Sequence, residues 1–289
     1  MTSGLQIGAM TKNIVSRDSR SVRKPVQKAP DTGPTVQRDT DVSSGLEPSR
    51  QDPFDWTAIL TQAAAAKDIP KGTRTLLRLK AGCAKALEQI PYQTLRVADI
   101  VKNAGASHGL FYHYFNDKQQ ITLAVVTEFL AECEHRYLNI HHTSDAYDAI
   151  YRSNLYYLEV SRRNAGVMRA MLPLSDELPS FRNFWNDTMH RWHTRIAKSL
   201  VVQLDKNDLV VGSANLFAYA LGGMIDQLCQ QLYMQQSPHL KKLVTDTRHL
   251  AEVLTIIWFR AAYGRDPTEA QLSAARRLPD PGKTGKARK

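Results

Sequence analysis

The chain has 289 residues, 43% hydrophobic and 23% charged, enough for one or two domains with a buried core. Lys and Arg number 38 against 28 Asp and Glu, and the resulting +10 points to a polyanionic partner. Three scattered cysteines suit neither a disulfide framework nor a Cys-based zinc site, and Met1–Met10 does not read as a secretory signal. The longest apolar stretch, Leu209–Ile225, is 17 residues long and interrupted by Ser213 and Asn215, so it reads as a buried helix rather than a membrane span. The expectation is a cytoplasmic protein, with no contact with a membrane.

Residues 1–53 are rich in Ser, Thr, Pro, Asp, Arg and Gln and have no sustained period, which reads as a disordered extension. Residues 54–69 follow as a short accessory helix or linker, with Trp56, Ile59 and Leu60 on one side and Pro70 as its stop. Lys71–Ile90 is amphipathic, Leu76, Leu79, Cys83, Leu87 and Ile90 recurring at steps of three and four. Two short helices are expected at Val97–Asn103 and Ser107–Tyr114, then a long one from Asp117, which is placed to cap it, to Asn139. Further helices are read at about 144–164, 165–172, 177–203, 208–235 and 241–263, between breakers that include Gly166, Pro173, Pro179, Pro238 and Gly264. No segment alternates like a strand, so the fold class is all-α. Residues 265–289 read as a flexible basic tail.

The charge is uneven. Lys67–Gln120 holds nine basic and four acidic residues, whereas Ile121–Gly264 holds fourteen of each. The polyanion-facing part therefore falls in the first of these, and that is where Val97–Lys118 (VADIVKNAGASHGLFYHYFNDK) forms a pattern. Two short helices about a Gly-containing turn are the sequence form of a helix-turn-helix. Gly105 supplies a left-handed turn residue, and Ile100, Val101 and Ala104 face Leu110 and Phe111. Ser107 caps the second helix, leaving His108, Gly109, Leu110, Tyr112 and His113 as its surface. A helix of that size is roughly 10 Å long and suits a major groove about 12 Å wide.

Gly105–Lys118 resembles the recognition-helix signature of TetR-family transcriptional regulators, and order and spacing agree over Arg74–Ile121. The resemblance implies a three-helix headpiece over residues 70–118 and a larger helical effector-binding and dimerisation domain over 119–264. It also implies DNA contacts, mainly to phosphates, from Tyr112, His113 and Lys118. Lys71, Arg74 and Thr75 would approach the backbone from the first headpiece helix, and Thr94 and Arg96 would flank the phosphate site at the start of the second. These are sites where cations give salt-sensitive affinity and a helix start favours phosphate oxygen. Base reading would fall to His108, Gly109, Leu110 and His113, with Leu110 standing where the family commonly has Thr and Val101 where Ala is usual.

In the neutral part, aromatic and Met side chains at helical spacing suggest a pocket for a small apolar effector, or plain core. The candidates are Tyr151, Tyr156, Met168, Met171 and Phe181, with Trp185, Met189, Trp192, Phe217 and Met224 after them. A dimer interface is expected from Leu216, Gly222, Ile225 and Leu228 on one stripe and Leu250, Leu254, Ile257 and Trp258 on another, which in the family would make an intermolecular four-helix bundle. His190 and His193 have no Cys or carboxylate at ligand spacing, so no metal and no cofactor are expected, and no catalytic motif is present. The reading is a homodimeric repressor on a palindromic double-stranded operator, released by a small apolar effector. Two alternatives are a DNA-bound interaction protein without an effector, which a solid core would favour, and an enzyme of helical fold.

Overall fold

The computed structural model describes residues 54–138, 143, 145–203, 211–244 and 246–272. The extension read over residues 1–53 and most of the basic tail lie outside them. All regular elements among the described residues are helical, in the order α1 (Trp56–Ala65), α2 (Lys71–Gln89), α3 (Val97–Ala104), α4 (His108–Tyr114), α5 (Lys118–Leu138), α6 (Ala146–Arg163), α7 (Ala165–Arg169), α8 (Met171–Glu177), α9 (Pro179–Gln203), α10 (Val211–Cys229), α11 (Pro238–Leu243) and α12 (Thr247–Tyr263). A π-helical turn, Gln230–Met234, prolongs α10.

Local chemistry sets these boundaries. Asp117 caps α5 by accepting from Gln120 N at 2.7 Å, Asp145 caps α6 by accepting from Asp148 N at 2.8 Å, and Gly264 closes α12 at φ 62°. Three prolines read as breakers instead lie inside helix starts. Pro173 is the third residue of α8, Pro179 the first of α9 and Pro238 the first of α11, positions whose N–H would have no intrahelical partner.

One core joins α1–α5 to α7–α9, with Trp56, Tyr92, Phe111, Phe129 and Phe181 among its fully buried side chains. A second lies between α6, α10 and α12 around Leu158, Ile225, Cys229, Leu254 and Trp258. Residues 54–69 are more than a linker. Phe54, Trp56, Leu60 and Ala64 are buried, and Asn164, 1% exposed at the end of α6, accepts from Trp56 N at 2.7 Å and donates to Phe54 O at 2.9 Å. The seam between α2 and α5 holds a buried ion pair, Lys80 Nζ to Glu128 Oε1 at 2.5 Å. Buried pairs of this kind fix geometry more than they add stability, because both charges are desolvated.

Candidate DNA-binding surface and the cavity behind it

Three contacts hold α3 and α4 at their crossing. Gly105 takes φ 59°, so the turn can close with Ala106 N on Val101 O at 2.9 Å. Ser107 Oγ accepts from Leu110 N at 3.2 Å, and Phe111, 0% exposed, anchors α4 from below. The third contact comes from α2. A Cβ on Gly82 would lie 2.6 Å from Ala104 Cβ and 2.8 Å from Ile100 O, so only glycine lets α3 seat this closely. Arg78 then caps α3, its Nη2 donating to Ala104 O (3.1 Å) and Gly105 O (2.8 Å). The sequence reading missed both Gly82 and Arg78, because only a long-range contact gives them their roles.

The outer face of α4 presents His108, Gly109, Tyr112 and His113 to solvent, with Tyr112 57% exposed, and leaves Leu110 half-buried. Nothing lies within 4 Å of a Cβ built on Gly109. Glycine inside a helix costs about 1 kcal/mol of propensity, so its use at an open surface position suits close approach by an external partner. Lys71, Thr94 and Arg96 are exposed on the same unit, and Thr75 is half-buried with its hydroxyl on Lys71 O.

Two of the cations expected to meet phosphate are already engaged within the chain. Lys118 Nζ donates to Tyr92 O at 2.9 Å and Gln93 O at 3.0 Å and sits 4.9 Å from the Tyr92 ring centre. Arg74 Nη2 donates to Ala66 O and Lys67 O, closing the end of α1. Both side chains hold loops together and bring positive charge to the headpiece.

Behind the headpiece a cavity of about 870 Å³ runs among α5, α6, α8, α9 and α10. Tyr156, Met168, Met171, Trp185, Met189 and Trp192 line it, and Tyr137 stacks on Trp192 at 4.3 Å. Tyr151, Phe181, Phe217 and Met224 are not in its wall. Phe181 is 2% exposed in the headpiece-side core, while Tyr151 and Met224 pack against the α6–α12 cluster. Apolar spacing marks a buried face without telling whether that face meets a neighbour or a gap. Leu138 (50%) and Leu172 (54%) line the cavity yet are exposed, which marks where it opens.

The wall and the headpiece share contacts. Arg169, beside Met168 in the wall, donates from Nη2 to Leu87 O at 2.7 Å, and Gly166 N donates to Glu88 Oε2 at 3.0 Å. At the far end of α8, Glu177 Oε2 accepts from Tyr92 Oη at 2.6 Å and from Gln119 at 3.0 Å. The Tyr92 hydrogen bond holds the Glu177 carboxyl below the usual carboxylate range, and burial together with that same contact lifts the Tyr92 phenol.

The expected dimer stripes divide. Ile225 (5%), Leu254 (1%) and Trp258 (4%) are core of the single chain, with Leu228 and Leu250 packed against them, and so do not form an outer face. Gly222 admits the His193 ring, whose Nε2 would lie 2.5 Å from an added Cβ. The outward face of α10 is instead Leu216 (71%), Tyr219 (40%), Ala220 and Gly223, while Ile257 on α12 is half-buried. The physical reason is that α10 is apolar on more than one side, so its period alone does not fix which side turns inward.

Residues 81–125, from mid-α2 into α5, match the family model for bacterial regulatory proteins of the tetR family. The chain is 22% identical over 200 residues to the HTH-type transcriptional regulator EthR of Mycolicibacterium smegmatis, covering 68% of this chain and 90% of that protein. It is 22% identical over 220 residues to the EthR of Mycobacterium tuberculosis, covering 71% and 99%. In fold it is similar to a transcriptional regulator from Rhodococcus sp. Rha1, at a TM-score of 0.53 and 18% identity over 64% of this chain and 96% of that one. The helix-turn-helix geometry and the matched segment coincide, and over that segment the chain is similar to DNA-binding regulators of the tetR family.

Proposed function

We propose that the protein works as a homodimeric repressor, bound to a palindromic operator and released when a small apolar effector occupies the cavity. The observation that carries this reading is one wall doing two jobs: Met168, Arg169, Met171 and Leu172 line the cavity, and Arg169 holds the end of α2. The exposed apolar face of α10, with Ile257 on α12, supports self-association. His108, Gly109, Leu110, Tyr112 and His113 would face the groove, with Ser107 at the helix start. Lys71, Arg74, Thr75, Thr94, Arg96 and Lys118 would supply positive charge and hydrogen bonds to phosphate. Two recognition helices roughly 34–36 Å apart enter successive major grooves, and an effector favouring another spacing weakens binding by its differential affinity for the two states. The same helical body has no part in turnover; its role is binding. Unlike the solid core that an effector-free interaction protein would favour, a wall holding a void of about 870 Å³ supports the effector reading.

The test is fluorescence anisotropy of the purified protein on DNA flanking its own gene, against random DNA and across a salt series. Two chains per site and retained binding at moderate salt are expected, with release by apolar compounds that fill the cavity. Binding no tighter than to random DNA would overturn the operator reading.

A further inference from the structure

Among the described residues the cavity wall has one carboxylate, and it makes no ion pair. Three arginines line it: Arg152 is paired with Asp148 at 2.8 Å, Arg195 with Glu134 at 2.8 Å, and Arg169 donates from Nη2 to Leu87 O, while Arg169 Nε and Arg195 Nη1 have no hydrogen-bond partner among the described residues. The wall carboxylate is Asp226. Its single hydrogen-bond partner there is a neutral one, Tyr157 Oη donating to Oδ1 at 2.5 Å. His193 lies near enough to favour the ionised carboxylate, but it makes no ion pair with it: its Nδ1–H is donated to Met189 O at 2.7 Å and its ring is stacked on Tyr219 at 4.1 Å. Asp226 is itself an exposed residue, open to the cavity, so its carboxylate is desolvated only on the side that meets the apolar wall. One helical turn on, the backbone leaves α-geometry, and the π-turn brings Gln230 and Met234 into the same wall.

A carboxylate in an apolar wall carries a desolvation cost that a neutral hydroxyl offsets only in part, and burial lifts its proton affinity above the ordinary range. A cation seated against it stabilises the ionised form and gains a charge-assisted hydrogen bond. Resting on the reading of the cavity as the effector site, we propose that the effector is an apolar amine: a hydrocarbon or aromatic body bearing one protonated nitrogen, held by Asp226, with Tyr157 fixing the carboxylate and the Tyr137–Trp192 side taking the apolar body.

The test uses the full chain and three probes of equal length: decylamine (protonated at neutral pH), decan-1-ol and sodium decanoate. Titration calorimetry gives affinity and stoichiometry. Decylamine is expected to bind one per chain about tenfold more tightly than decanol, the scale of one charged hydrogen bond. In Asp226→Asn that ratio should fall to about one with decanol affinity unchanged. Asp226→Glu should restore part of it, and thermal melting would show that both variants fold. A preference for decanoate, or an amine preference that survives Asp226→Asn, would overturn the amine inference while leaving the cavity reading intact. Failure of all three probes to bind saturably would overturn the cavity reading itself.

Discussion

Replacing Asn164 by Ala tests whether α1 is part of the folded unit or an appendage. Asn164 is 1% exposed and serves three backbone groups: it accepts from Trp56 N and donates to Phe54 O and Val160 O. Truncation orphans the first N–H of α1 and the carbonyl two residues before it, both in a dry setting beside Phe129. A buried group left unsatisfied costs about 1–3 kcal/mol, so two cost about 3–4 kcal/mol when local relaxation is allowed. At about 2–4 °C per kcal/mol for a domain of this size, Tm should fall by roughly 6–16 °C. Hydrogen exchange gives the sharper readout. Amides of α1 from Ile59 onward should lose protection while those of α12 keep theirs, because the lost contacts are local to one seam. A drop under about 2 °C with unchanged α1 protection would refute the docking of α1 through Asn164.

Four other outcomes are expected. Tyr112→Ala with His113→Ala should remove operator binding in anisotropy while leaving the oligomeric state by sedimentation and the Tm unchanged, because both side chains are exposed. Lys118→Ala should weaken binding to all DNA sequences and lower the salt slope by about one unit. It should also lower Tm by freeing Tyr92 O and Gln93 O, and an unchanged slope would assign the ammonium to those carbonyls alone. Arg169→Ala should loosen operator binding without effector, since it removes the clasp on Leu87 O; unchanged affinity would clear α7 of any part in coupling. Glu134 resists burial through hydrogen bonds from Arg195 and Arg191, which hold its carboxyl below the usual range. That stabilisation is full above the ordinary glutamate range and is lost as pH falls through the lowered value, so the Tm gap between wild type and Glu134→Gln should be widest at neutral pH and close in acid.

The headpiece was legible because its determinants are local. Gly105 and Ser107 each act within four residues, and the amphipathic period of α2 is read within a few turns. Asn164 and Trp56 are 108 positions apart, and no window of sequence joins them. Gly82 and Gly166 look like ordinary helix weaknesses until the backbones that crowd them are seen: a Cβ on Gly166 would lie 2.4 Å from Glu88 Cα. The basic residues misled for a different reason. Arg74 and Lys118 have the charge and position to meet phosphate, yet helix ends also offer unpaired carbonyls, and residue type does not separate the two partners. The cavity followed the same logic, since the side chains that line a void are those that would fill a core. Its polar corner at Asp226 and Tyr157 joins α10 to α6, 69 positions apart, and only the fold brings it together.

A binding cavity becomes a switch only if its wall has two arrangements that the DNA-binding unit can distinguish. Here α7 and α8 are short helices of five and seven residues, and between them they touch the cavity on one side and α2, Tyr92 and Gln119 on the other. Few backbone hydrogen bonds hold such helices, so they can shift more cheaply than α5 or α9. The energy required is small: a tenfold loss of operator affinity corresponds to about 1.4 kcal/mol. That is the size of one ordinary hydrogen bond, so breaking the Arg169–Leu87 contact in each subunit would suffice in the proposed mechanism. The glycine at 166 makes the contact unforgiving, because the backbones of α7 and α2 already touch and any push on Met168 or Met171 is passed on rather than absorbed. In the proposed mechanism, regulation would therefore depend less on how tightly an effector fills the cavity than on whether filling it displaces α7.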